Sequence, residues 1–235
     1  MYPTTQESAV ISEAEKIMRD AMARYDPSHD VFHVQRVRRT SLALANALTP
    51  KPDFFLGLSA ILHDVLDKKY VSAEVAADPY AFFLPFFASM ADKHQVDLVS
   101  DGRARQIAQI VDNVSWTTET KLRNSGLWSP WHQNCAELHC VQDADRLDAI
   151  GAFGIIRCAA YSASPSARPR ALRRAVKNSA IQHFHDKLIL IRDRLKTEPG
   201  KVLGEKRHRV LVDFMASVEE EYDSPMLTPV TPSEP

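Results

Sequence analysis

The apolar positions of this chain recur mostly with a helical period. Thr4-Thr5-Gln6-Glu7-Ser8 opens the first such segment with cap-type residues and an early acid, which predicts a helix to about Tyr25. Asp26-Pro27-Ser28 ends it. Val34, Val37, Ser41, Leu44 and Leu48 share one face of a second helix, and Thr49-Pro50-Lys51-Pro52 is a clear break. A third helix is expected from near Asp53 to around Asp67, with Leu58, Ile61, Leu62 and Val65 apolar enough to bury it. The stretch from Tyr70 to Asp97 is less regular, and its Phe82–Phe87 cluster is expected to break at Pro85. Residues 99–115 regain the period through Ile107, Ile110, Val111 and Val114, whereas 116–133 read as a polar loop. Helices follow at about 134–150, 151–162, 170–196 (interrupted) and 200–222, with Ser162–Pro169 a linker. The pattern predicts one all-α domain over residues 1–222 and a disordered tail over 223–235.

Composition supports that reading. Only 7 of 235 residues are glycine, fewer than the turns of a sandwich or barrel consume. A net charge of −1 advertises neither a nucleic-acid nor a membrane partner. Cys135, Cys140 and Cys158 form no CxxC pair and suit reduced, packed thiols in a cytoplasmic protein. The basic run from Arg168 to Lys177 lacks interleaved aromatics and reads as a solvated face.

The polar residues that interrupt apolar segments carry the chemistry. His63 and Asp64 fall at the end of an otherwise apolar helix, where burying such groups costs several kcal/mol (order of magnitude) unless they are paired or bind a metal. His33 and Asp145, from two neighbouring helices, would complete a set of two nitrogens and two carboxylates. Such a set leaves about two positions open on a six-coordinate ion, one for water and one for a phosphate oxygen. Mn, Fe, Co, Ni or Mg all suit it, and a single ion is expected.

An isolated His, an adjacent His-Asp pair and a distant Asp resemble the H…HD…D signature of the HD superfamily of metal-dependent phosphohydrolases. The likeness is closest to its YedJ/YpgQ-like subgroup. His29-Asp30-x-x-His33-x-x-Arg36-Val37 resembles the opening motif, and His63-Asp64-x-x-Asp67-x-Lys69-Tyr70 the second. The third motif is nearly complete over Asp143-Ala-Asp145-Arg146-Leu-Asp148-Ala-Ile-Gly151-Ala-Phe-Gly154-Ile-Ile-Arg157. His183, Lys187, Gly200 and Arg207 follow in the order of the subgroup, so the resemblance spans about residues 10–220. It implies an all-α HD fold and a divalent-metal phosphohydrolase acting on a small phosphorylated compound, foremost a nucleotide, as a triphosphate pyrophosphohydrolase or a phosphomonoesterase. By analogy with the Ala-Asp-Arg-Leu pattern of the ppGpp hydrolases, Asp145 rather than Asp143 is the fourth ligand. A catalytically silent scaffold that binds nucleotide or a protein partner is the alternative; retention of all four ligands and Asp67 argues against it.

Two roles remain for nearby residues. Asp67 resembles the carboxylate that orients or deprotonates the attacking water in related nucleotidases, and its other reading is a cap or a partner of Lys68 or Lys69. Arg36, Lys69 and Arg146 are candidate phosphate contacts, because a phosphate needs fixed cations, with Arg146 also counted among the catalytic groups. The alternative for each is an internal salt bridge. His29 and Asp148 are candidate substrate-contacting or ligand-orienting groups.

Overall fold

A computed structural model describes residues 3–25, 30–53, 55–163 and 180–223. Its described residues form eleven α-helices with short 3₁₀ turns and no strand, an all-α architecture. Helix α1 (Thr5–Met22) starts at a capping box: Thr4 Oγ1 accepts from Glu7 N at 3.2 Å and Glu7 Oε2 accepts from Thr4 N at 2.8 Å. Helix α2 (Val31–Asn46) is capped by Asp30, which accepts from His33 N at 2.7 Å.

Helix α3 is shorter than its apolar pattern implied. It runs from Leu56 to Leu62, and all seven of its residues are buried. The chain then passes into successive turns, with Val65 N donating to Leu62 O and Asp67 N to Asp64 O. His63, the C-cap of α3, and Asp64 therefore lie in the turn that leaves the helix. Helix α4 (Pro79–His94) corrects the expected break at Pro85 by running through it. The missing amide costs about 3 kcal/mol, but Phe83, Phe87 and Met90 on the same helix are buried at 1%, 0% and 0% exposure, and each such side chain contributes ~1.5–3 kcal/mol.

Helix α5 spans Arg103–Asn113. The stretch read as a loop holds two helices instead, α6 (Trp116–Asn124) and α7 (Pro130–Asn134). Ser115 Oγ caps α6 at Thr118 N, and Glu119 and Arg123 pair one turn apart, so local bonds support a helix whose apolar face is weak. Helix α8 (Ala136–Asp148) is the axis of the molecule, packed on α2, α3, α5 and α11 (Glu198–Asp223). Gly151 turns the chain from α8 into α9 (Gly151–Ala163) with φ +74, and a Cβ there would meet the Arg207 side chain at 3.1 Å. Helix α10 (Ala180–Asp186) and a 3₁₀ segment over Leu188–Arg194 lead into α11. The tail beyond Asp223, the linker beyond Ala163 and the basic run lie outside the described residues.

Candidate metal centre

Two helices and a turn bring the expected ligands together. His33 comes from the first turn of α2, His63 and Asp64 from the turn after α3, and Asp145 from the last turns of α8. His33, His63 and Asp64 each offer a ligand atom, all within 4.8 Å of one another. Asp145 Oδ1 lies 3.5 Å from His33 Nε2 and 3.9 Å from His63 Nε2. The imidazoles form a floor at 1% side-chain exposure, while Asp64 at 17% and Asp145 at 29% border solvent.

The histidine tautomers are set from behind. Ala60 O can only accept, so His63 Nδ1 donates to it at 2.8 Å and the lone pair stands on Nε2. That Nε2 is buried and makes no hydrogen bond. His33 Nδ1 is held by Asp148 Oδ2 at 2.7 Å, which turns its Nε2 toward Asp64 and Asp145. The two imidazole nitrogens and the Asp64 carboxylate, with Asp145 beside both imidazoles, fit a divalent ion, whose binding would offset the desolvation of these groups.

Asp148 is the hub behind this centre. It also accepts from Arg36 Nε at 2.7 Å, Arg36 Nη2 at 2.9 Å and Arg157 Nη1 at 3.1 Å. Burial alone would raise its carboxyl, but the bonds from His33 and Arg36 prevail and hold it well below the usual carboxylate range. Arg36 thus has the internal salt bridge as its partner, with its guanidinium 4.3 Å over the Phe153 ring. Asp143 faces away from the histidines: its carboxylate accepts from Lys196 N, Thr197 N and Thr197 Oγ1, at 2.7 Å for both Thr197 groups. Gly200 packs so closely there that a Cβ would stand 2.5 Å from Asp143 Oδ2.

The remaining candidates divide. Asp67 Oδ1 accepts from Lys69 N at 2.8 Å and Oδ2 lies 3.9 Å from Lys69 Nζ, the capping and ion-pair contacts of the second reading. Tyr25 braces the same turn by donating to Val65 O at 2.9 Å and stacking on Tyr70 at 3.9 Å. Burial, then Asp67 and Asp64, push the Tyr25 hydroxyl up. Arg146 turns from the centre to Glu119, donating from Nη2 at 2.6 Å, while Nη1 reaches Arg194 O. His29 lies outside the described residues. Lys187 is half-buried, and its ammonium is pushed down mainly by burial, with Asp145 opposing and Lys69, Arg146 and Arg157 reinforcing. It therefore joins the charges around Asp145. Arg207 donates to Leu147 O at 2.6 Å and braces the end of α8. Glu119, Lys196 and Tyr25 were absent from the sequence-based candidates; the spacing of Glu119 and Arg123 was the one available signal.

No protein-family model matches the chain. It is 28% identical over 216 residues to the uncharacterized protein YpgQ of Bacillus subtilis, covering 90% of this chain and 94% of YpgQ. The crystal structure of Lin1889 from Listeria innocua matches with a TM-score of 0.67 and 27% identity, over 94% of this chain and 99% of that one. An HD-superfamily hydrolase from Bacillus thuringiensis matches at TM-score 0.66 and 23% identity, over 94% and 100% of the two chains. The chain shares the fold of these HD-superfamily hydrolases. A structure of YpgQ in complex with ADP shares the HD-domain fold as well, at TM-score 0.62 and 24% identity over 91% of this chain and 98% of YpgQ. No described helix of the chain is long and apolar enough to cross a membrane.

Proposed function

We propose that this HD-domain protein is a divalent-metal-dependent phosphohydrolase acting on a small phosphorylated compound, a nucleotide before others. The convergence of His33 Nε2, His63 Nε2 and the Asp64 and Asp145 carboxylates carries the reading. The ADP complex of YpgQ supports the nucleotide class. These four residues would hold an ion, which when bound would supply Lewis acidity for attack of water on phosphorus. Asp148 and Ala60 keep the two imidazoles in the tautomer that such an ion needs. Asp67, at the end of the same turn, takes the proton of the attacking water. Lys69, Lys187 and Arg157 would offer positive charge to the phosphate, and Arg36 keeps Asp148 ionised.

The test is metal analysis of the purified full chain, then release of phosphate and of pyrophosphate from a panel of nucleotides with the metal found. One divalent ion per chain and metal-dependent release are expected. A chain that retains no divalent ion, and cleaves no nucleotide with any of Mn, Fe, Co, Ni or Mg, would end the proposal.

A further inference from the structure

Beside the metal centre, across one residue step from Asp145 to Arg146, lies a second cluster of charge. Its centre is Glu119, at 1% exposure. Arg146 Nη2 approaches its carboxylate at 2.6 Å, Lys196 Nζ at 2.7 Å, Arg123 Nε at 2.7 Å and Arg194 Nη1 at 3.7 Å. Four cations thus share one carboxylate. Asp143, near Lys196, accepts from two backbone amides and the Thr197 hydroxyl, and with its charge counted the four cations still exceed the two carboxylates by two. Two half-buried tryptophans wall the cluster. Arg194 lies 4.6 Å and Arg146 5.8 Å over the Trp116 ring, while Arg123 lies 4.2 Å and Lys196 5.6 Å over Trp128.

A structural staple for one buried acid needs one or two cations, since each extra like charge repels the others. This cluster also keeps donors without acceptors: Arg146 is 3% exposed, and its Nε and the buried Arg194 Nη1 make no hydrogen bond. We propose that the cage of Arg123, Arg146, Arg194 and Lys196 between Trp116 and Trp128 is an anion subsite, and that it takes the phosphate oxygens of a polyphosphate chain lying beyond the metal centre. Burial first, then Arg146, pushes the Lys196 ammonium down to about 8, a crowding of positive charge that a bound anion would relieve. Lys187 feels the charges of both Asp145 and Arg146. The inference rests on the phosphohydrolase reading for the source of its ligand, and on the cage alone for binding. It favours di- and triphosphates over monophosphates.

The probe is inorganic tripolyphosphate, with orthophosphate beside it, added to the full chain freed of divalent metal. Binding is read by calorimetry and by tryptophan emission, because Trp116 and Trp128 wall the site. Tripolyphosphate is expected to bind in the ~10–100 µM range and orthophosphate at least ~10-fold more weakly. Arg194→Gln, at a partly exposed position, should weaken tripolyphosphate about 10-fold while leaving the fold intact by circular dichroism, since Arg146 and Lys196 still neutralise Glu119. His63→Ala should bind it as the wild-type chain does. Absence of binding to the folded wild-type chain, or equal binding by Arg194→Gln and by Arg123→Gln, would overturn the proposal. Loss of binding in His63→Ala would do so too, by placing the anion at the metal centre. Tripolyphosphate binding in a chain that hydrolyses no nucleotide would uphold the cage and defeat only the phosphohydrolase reading.

Discussion

Asp145 and Arg146 are neighbours on one helix, yet they serve opposite surroundings. Around Asp145 the side chains are histidines and carboxylates, with donors placed behind them; around Arg146 four cations meet one glutamate. Successive residues on a helix diverge by about 100°, so α8 can present an acid-rich centre on one flank and a base-rich cage on the next. Both flanks are buried polar clusters, and such clusters are costly when incomplete. They differ in what would complete them. The acid-rich flank would be completed by a cation and the base-rich flank by an anion, and on the proposed reading a metal-bound polyphosphate would satisfy both at once.

The sharpest way to separate the two flanks is to remove the centre alone. His63→Ala should abolish ion retention and lower turnover by roughly 10³-fold or more, while the chain stays folded on its apolar core, to which all seven residues of α3 contribute burial. A large fall in melting temperature together with retained metal would show that His63 packs rather than ligates.

Acid should separate them in the other direction. Burial acts to raise the Glu119 carboxyl, but Arg146 and Lys196 outweigh it and hold the value at about 2, against 4.5 ordinarily. A depressed carboxylate stabilises the fold fully above its unfolded value, and that contribution is lost as pH falls through the folded one. Glu119 should therefore contribute on the order of 3 kcal/mol at neutral pH, disappearing between about 4.5 and about 2. Urea unfolding of the wild type and Glu119→Gln across that window checks it. The two chains should converge at the acid end, and a constant difference throughout would assign the effect of Glu119 to packing rather than charge.

The two flanks were unequally legible in the sequence. His63-Asp64 inside an apolar run and Asp145 in its motif are short-range signals, and α8 and α2 place them together. The cage was hidden because Glu119 and Arg123 sit in a segment whose composition of Trp, Thr, Ser and Asn hides a helical face. Its other members arrive from α8, from the end of the 3₁₀ segment and from the short link between that segment and α11, contacts between residues 27 and 77 positions apart that no local pattern encodes. Pro85 misled for a related reason: local propensity predicts a break, but the burial of Phe83 and Phe87 decides the conformation. The end of α3 was overrun because Val65 and Leu66 continue the apolar period through turns that are also buried.

The finest comparison is within the acid-rich flank, between residues that would hold the ion and one that would act beside it. Asp67 follows the ligating turn, and its oxygens already have work in the fold: one accepts from Lys69 N at 2.8 Å and the other lies 3.9 Å from Lys69 Nζ. An amide in its place can still accept from Lys69 N, so Asp67→Asn preserves the turn while removing the charge and the basicity. If Asp67 takes the proton of the attacking water, turnover should fall by roughly 10²-fold with ion content and KM nearly unchanged. Asp67→Glu should recover part of the loss. Unchanged turnover would leave Asp67 as the cap of the turn and its partner in Lys69. Loss of the ion with turnover would instead show that the turn itself, braced from the other side by Tyr25 on Val65 O, cannot hold His63 and Asp64 in register without that negative charge.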